Sequence, residues 1–428
     1  MNTNLQRTLA IFVSVVTLFI TLGLTACGGG GGGGGNNPTP PTPPPTTIAQ
    51  PLPLPGPFAV ACSNVSQDFT RMPAGADVTT FWEGTPVNGV PRYVNSLLSD
   101  PANTLTFNVI APNDSNLYGA YTGTAVPYVM LVCYPTAPTN PRLAYPLPNG
   151  VSVPHMQTGA QAPIFASDTA RYPMLLFSHG YSGSPLSNEY LQIISLFASY
   201  GYVMVAPFHG DPRFCDLDIN NFADAVLVLA NLRNFVALEA LRPLSLSASL
   251  DLLLAHPQWR DHLDPAQIGG FGASMGGEAM MLLGGASLTT SLGFSSNRVT
   301  LDSRVKAAVG YVPYFGQPFL PSFGRDQQGL DGVTMPFLGI SGTADTTAPL
   351  VMTQLGISRL AGTRELVTLQ GVPHHFDVPS TNDIYTWSLT FFDAMVQGKV
   401  ASRQQLSTMA SVAGGGDDRV VINYNGPH

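Results

Sequence analysis

The sequence predicts a mixed α/β fold, with a mostly parallel central sheet covered by helices on both faces. Three observations carry this expectation. From about residue 163 onward, short apolar runs of buried-strand type alternate with segments of helical spacing, the pattern of parallel strands joined by crossover helices. One such run ends in Gly272-Ala273-Ser274-Met275-Gly276, which reads as strand, sharp turn and helix with Ser274 at the apex. The residues with chemical potential come just after apolar runs, at the strand ends where sheets of this kind bind ligands.

The chain has 428 residues, enough for one large domain or two modest ones. Charged residues make up only 10% and hydrophobic ones 44%, and 18 Lys+Arg against 26 Asp+Glu give a formal charge of -8. With no basic run, nothing points to a nucleic-acid partner. Residues 1–27 read as an export signal: Arg7 precedes an apolar stretch from Leu9 to Leu24 that is short for a membrane span and ends in small residues. Leu24-Thr25-Ala26-Cys27 resembles the bacterial lipobox, which implies lipidation at Cys27. A plain cleaved signal or an anchor helix are the alternatives. Gly28 after the cysteine resembles the pattern for outer-membrane sorting, so the expected location is the bacterial cell envelope, lipid-anchored, or export. Residues 28–57 are a polyglycine run followed by a proline-rich tract, a flexible and then semi-extended tether that holds the body off a membrane.

The remaining 58–428 are expected to form one domain. Residues 58–162 look β-rich and loop-rich, with strands near Leu105–Ile110 and Tyr128–Tyr134 expected at a sheet edge and Pro135–Pro163 as surface loop. Cys62, Cys133 and Cys215 allow at most one intramolecular disulfide, with Cys62–Cys133 the expected pair. No Cys/His cluster has zinc-site spacing, and neither a metal nor an organic cofactor is called for.

The core, 163–398, then reads in order. Tyr172–Phe177 is a buried strand. Ser184-Pro185 opens a helix whose apolar set includes Leu186, Tyr190, Leu191, Ile194 and Phe197, and Gly201 ends it. Tyr202–Ala206 is a strand, and 221–256 is mostly helical with an interruption near Pro243. The elbow strand follows, then Val305–Tyr311, Phe337–Ile340 and Glu365–Leu369 as the last strand, with a closing helix over Ile384–Val396.

Five post-strand segments hold residues with chemical potential. A serine at a strained turn above a sheet edge, backed by a helix N-terminus, is placed to act as a nucleophile. Asp345, in Gly342-Thr343-Ala344-Asp345, could orient an imidazole or cap the following helix. Val372-Pro373-His374-His375 offers two adjacent histidines, of which only one can be the base; His374 is the candidate and His375 the reserve. His179 in Ser178-His179-Gly180-Tyr181 reads as a loop-structuring imidazole, and His209 with Asp211 as loop hydrogen-bonding groups.

Over roughly 163–398 the chain resembles the α/β-hydrolase superfamily, in which nucleophile, acid and histidine occur in the order Ser274, Asp345, His374. Within it the chain resembles the bacterial cutinase and polyester-hydrolase group, with the platelet-activating-factor acetylhydrolase and dienelactone hydrolase groups nearby. Gly180-Tyr181-Ser182-Gly183, Ser274-Met275-Gly276-Gly277, Asp345 to Pro349, and Gly371 with His374 carry the likeness, and the last supports His374 over His375. The resemblance implies the α/β-hydrolase fold, a Ser274–His374–Asp345 triad, an oxyanion hole from the Tyr181 and Met275 amides, and Tyr314 as a substrate-stacking residue. It implies hydrolysis of a carboxylic ester, whether small ester, lipid or polyester. Phospholipid deacylation or dienelactone-type hydrolysis are the nearest alternatives, and a non-catalytic surface binding lipoprotein is a reading from another class. Ala273 stands where cutinases carry His, and the long segments 212–246 and 315–333 depart from compact members and could form a lid.

Overall fold

A computed structural model describes residues 45–63, 104–157, 161–215, 217 and 225–428. The export signal, Cys27 and the polyglycine run lie outside these residues. Ten strands form the main sheet: β1 (Ala59–Cys62), β2 (Leu105–Ile110), β3 (Ala125–Thr136), β4 (Tyr172–Ser178), β5 (Val203–Pro207), β6 (Leu263–Ala273), β7 (Val305–Tyr311), β8 (Phe337–Gly342), β9 (Arg364–Leu369) and β10 (Asp418–Ile422). Their order is β10-β9-β8-β7-β6-β4-β5-β3-β1, with β2 also pairing β3. From β5 to β9 all neighbours are parallel. β3 and β10 flank that block in antiparallel pairings. The long β3 pairs β2 along its first half and β1 along its second. Cys62 and Cys133 are register partners there and form the expected disulfide, while Cys215 is buried outside it.

The helices that matter for the site are α1 (Asn188–Ser199), α2 (Leu232–Ala255), α3 (Met275–Leu283), α4 (Leu350–Arg359), α5 (Thr381–Met395) and α6 (Val400–Thr408). Strand residues alternate between two cores, as the period of two requires. Leu175 and Phe177 of β4 join Ile194 and Phe197 of α1 and Phe391 of α5. Met174 and Leu176 join Leu246 of α2, Met280 of α3 and Ile357 of α4. Each fully buried large side chain contributes roughly 1.5–3 kcal/mol, which is why both faces of a parallel sheet must be covered.

β5 lies on one side of β4 and β6 on the other, so the connections reverse direction at β4. The crevice at such a reversal opens above the strand C-termini. Register aligns those ends: Ser178 pairs Gly272, and Ala273 pairs Tyr311.

Five boundaries differ from expectation. The tether does not reach residue 57: Thr47–Ala49 pairs in parallel with Met409–Val412, and the Leu52 and Gly56 amides donate to Thr386 Oγ1 and Ser199 Oγ. Prolines in 51–57 lack N–H groups and need no ladder, while Leu52 and Leu54 pack on the core. α1 begins at Asn188, because Ser184 is spent on a preceding turn, accepting from the Leu186 amide and donating its own to Ser187 Oγ. Pro243 does not interrupt α2; the break falls at Asn231, between Ala225–Ala230 and α2. Burial of Phe235, Leu238, Leu241, Leu246 and Leu250 outweighs the ~3 kcal/mol a helical proline costs. β9 is not the last strand and α5 not the last helix: α6, Met409–Val412 and β10 follow, so the fold continues past 398. β10 is a short, charged edge strand whose polarity masks its pattern. The 135–163 stretch is only partly surface loop, since Leu147, Val153 and Met156 join a core.

Candidate active site

The elbow forms where the sequence predicts it. β6 ends at Ala273, α3 starts at Met275, and Ser274 between them has φ 53° and ψ -121°. A non-glycine residue in this region is strained and is held there by its surroundings. The Ser274 amide donates to Tyr311 O at 2.9 Å, and its carbonyl accepts from Gly277 and Tyr314 N–H at 2.8 and 3.0 Å. The flanking glycines permit the close approach. A Cβ on Gly272 would sit 2.1 Å from Gly276 O, and one on Gly276 would sit 1.9 Å from Ser178 O.

Three sequence-distant side chains meet at this turn. His374 Nε2 lies 2.9 Å from Ser274 Oγ, and His374 Nδ1 lies 2.7 Å from Asp345 Oδ2. A carboxylate oxygen accepts, so Nδ1 carries the proton and Nε2 is left to accept from the serine hydroxyl. Asp345 follows β8 and its side chain is fully buried, whereas the His374 side chain remains 21% exposed. Asp345 Oδ1 accepts from the Thr347 and Ala348 amides at 2.9 and 2.7 Å. The carboxylate thus holds the imidazole, and it orders the turn before α4 rather than capping that helix. The N-cap position itself belongs to Pro349. His375 has no part in the Ser274 chain; its carbonyl accepts from Tyr311 Oη at 2.8 Å.

Ser274 and His374 open into a cleft of about 230 Å3 whose other walls include Glu189, Tyr190, Tyr311 and Phe376. These wall residues escaped the sequence reading, because nothing in α1 or the end of β7 distinguishes a cleft-facing aromatic from a core one. Tyr314 is not among the residues lining this cleft. It lies near the buried Glu278 and Glu239 carboxyls, and burial followed by these two groups pushes its phenol pKa upward. The aromatic residues that do line the cleft are Tyr190, Tyr311 and Phe376.

The loop after β4 abuts the elbow: a Cβ on Gly180 would lie 3.4 Å from Ser274 Cβ. Among the described residues, neither the Tyr181 nor the Met275 amide donates to a protein acceptor. His179 is buried and structural, as expected. Its Nδ1 bonds Gly180 O at 2.8 Å and its Nε2 accepts from the His209 amide at 3.3 Å. Burial, then the Arg242 charge, lowers its pKa to about 4. His209 sits between Ser178 Oγ at 2.8 Å and Ser245 Oγ at 3.1 Å, and burial and Arg242 hold its pKa well below the ordinary value. Both imidazoles are therefore neutral hydrogen-bonding parts of the loop scaffold.

Neither 315–333 nor the α2 part of 212–246 stands off as a lid. In 315–333, Phe315, Phe323, Leu330 and Val333 are buried, and Gln327 ties Phe315 O to the Phe323 amide. In 212–246, residues from Leu232 onward belong to α2, and 216 and 218–224 lie outside the described residues. No family model matches the chain, and no curated protein matches it. The residues themselves must therefore carry the functional reading.

Proposed function

We propose that the chain is a serine hydrolase of carboxylic esters built on the α/β-hydrolase fold. The supporting observation is the unbroken hydrogen-bond chain from Ser274 through His374 to Asp345, set on a strained elbow that opens into a cleft. The sheet order, reversing at β4 and carrying serine, acid and histidine after β6, β8 and β9, supports the fold assignment.

In this mechanism Ser274 Oγ attacks the ester carbonyl carbon while His374 Nε2 takes its proton. The carbonyl oxygen becomes an oxyanion stabilised by the Tyr181 and Met275 amides, each such donor being worth about 10²–10³ in turnover. Collapse breaks the bond to the alcohol oxygen, which leaves with the proton from His374. Water then attacks the acyl-serine, giving its proton to His374, and the acid departs as Ser274 recovers its own. Asp345 holds the Nδ1–H tautomer and offsets the imidazolium charge throughout.

The cleft is smaller than the roughly 300–1,000 Å3 of sites for drug-sized ligands, and it is walled by aromatic rings. It favours small esters over long acyl chains or polymer segments. Lipidation at Cys27 would hold this activity at an envelope membrane. The test is p-nitrophenyl ester hydrolysis across acyl lengths by the full chain and by Ser274→Ala. Turnover is expected to be highest on short acyl groups and to fall at least about 10⁴-fold in the mutant, with no change in thermal midpoint. Equal turnover by mutant and parent would refute the nucleophile.

A further inference from the structure

The proposed oxyanion hole depends on one amide in the loop after β4, and that loop is held from several sides by Arg242, Asp211 and Tyr190. Arg242, on α2, is fully buried. Its Nη1 donates to His179 O at 2.6 Å and its Nη2 to Gly180 O at 3.1 Å. The same guanidinium forks onto Asp211, with Nε donating to Oδ1 at 3.0 Å and Nη2 to Oδ2. Asp211 Oδ2 also accepts from the Ser182 amide at 2.9 Å. The Gly180 amide donates to Tyr190 Oη at 3.1 Å, and the Gly183 amide donates back to Gly180 O at 3.1 Å.

These bonds account for the amides at 180, 182 and 183. The Tyr181 amide, between them, has no acceptor among the described residues. Ser182 is held at φ 54°, a strained value that a loop without external restraint would relax. A buried Arg–Asp pair is costly to desolvate and adds little net stability compared with an apolar pair. Its value here lies in geometry: the planar fork fixes two successive carbonyls and, through Asp211, the amide two residues on.

We propose that Arg242, Asp211 and Tyr190 form a clamp that sets the 179–183 loop so that the Tyr181 N–H alone faces the developing oxyanion, making all three positioning residues for ester hydrolysis. This inference rests on the proposed serine-hydrolase reading and names the part of the fold that preorganises it. Preorganised donors act on the transition state, so loosening the clamp lowers kcat and leaves ground-state binding nearly intact.

The experiment uses the full chain and its Asp211→Asn, Arg242→Lys and Tyr190→Phe variants. Asparagine keeps the shape of Asp211 but places either an NH2 against the Ser182 amide or one against the guanidinium. Steady-state hydrolysis of p-nitrophenyl acetate gives kcat and KM per active site, with sites counted by fluorophosphonate labelling. Inhibition by a short alkyl trifluoromethyl ketone, whose serine adduct carries an oxyanion in the same place, gives a second readout.

For Asp211→Asn and Arg242→Lys, kcat is expected to fall about 10- to 10³-fold, up to the loss of one oxyanion donor. KM should stay within about threefold, and ketone affinity should fall in proportion to kcat/KM. For Tyr190→Phe, which removes one hydrogen-bond acceptor and keeps the ring, the loss is about 3- to 10-fold. The acid limb of the pH profile should not move, since the contacts of His374 are untouched. Wild-type kcat and ketone affinity in the folded variants would overturn the clamp, as would losses that vanish when rates are corrected for labelled sites. If the two buried variants do not fold, unchanged kcat and ketone affinity in Tyr190→Phe overturns it. Absence of Ser274-dependent hydrolysis in the parent chain is a different result: it removes the serine-hydrolase reading and the clamp's purpose with it.

Discussion

Two regions of this molecule contain the same residue types within a short distance of one serine-bearing turn. In one, His374 lies between Ser274 and Asp345 and remains partly open to a cleft. In the other, His209 lies between Ser178 and Ser245, is almost fully buried, and its near neighbour Asp211 is engaged by Arg242. Residue types alone therefore do not decide which imidazole is placed to accept a proton. The first imidazole has a carboxylate on one nitrogen and a reachable hydroxyl on the other, so a proton moved onto it is stabilised at once. The second has neutral partners on both sides, with burial and a nearby guanidinium opposing any positive charge. It can only hold structure.

The largest expected effect is at the proposed base, His374. His374→Gln should lower kcat by about 10⁵-fold or more, as expected for a base acting as one unit with its nucleophile. His375→Gln, its sequence neighbour, should leave kcat within about tenfold; comparable losses at both positions in p-nitrophenyl acetate assays would undo the assignment. Asp345→Asn comes next, with a loss of about 10⁴-fold in kcat and little change in KM, because an amide can favour the wrong tautomer.

The buried region should respond in stability instead. Ser245→Ala removes the acceptor of the His209 Nδ1–H and should cost about 1–3 kcal/mol in denaturant unfolding. Its kcat should stay near the parent value, and a large loss of turnover with unchanged stability would contradict the scaffold role.

A pH dependence of stability is also expected. Burial, above all, raises the Glu278 pKa from 4.5 to about 7, and Glu239 beside it is also raised well above its ordinary value. The folded state therefore keeps a proton that the unfolded chain releases above about pH 4.5. Stability from this site is fully present below that pH, falls as pH rises toward 7, and levels off beyond. Glu278→Gln should flatten that slope between pH 5 and 7.5 in denaturant titrations. An unchanged slope would mean the proton resides elsewhere.

Much of the scaffold was legible because its determinants are local. β7 has the predicted bounds, since an apolar run between polar flanks is its own signal. The elbow was legible because backbone sterics at Gly272 and Gly276 leave few other residue choices. The clamp was not read, yet it left a trace: Glu239 and Arg242 are the charged residues within an otherwise uncharged stretch from Asn234 to Leu250. Charges inside a long apolar helix imply buried partners, though not which partners. The strands at 47–49 and 418–422 left less trace, because the first is only three residues long and the second carries Asp418 and Arg419, which blur its alternation.

Strand and helix alternation, the glycine-bounded turn, and the candidate Ser274, Asp345 and His374 are legible in local sequence. Assembly of the fold sets which of two adjacent histidines faces Ser274, where Tyr314 lies, and that Pro243 sits within an unbroken helix. The two kinds of determinant differ in range. Periodicity and backbone sterics act between chain neighbours, whereas His374 meets Ser274 across 100 positions and Arg242 meets Asp211 across 31. Contacts at those separations exist only once the whole sheet has assembled.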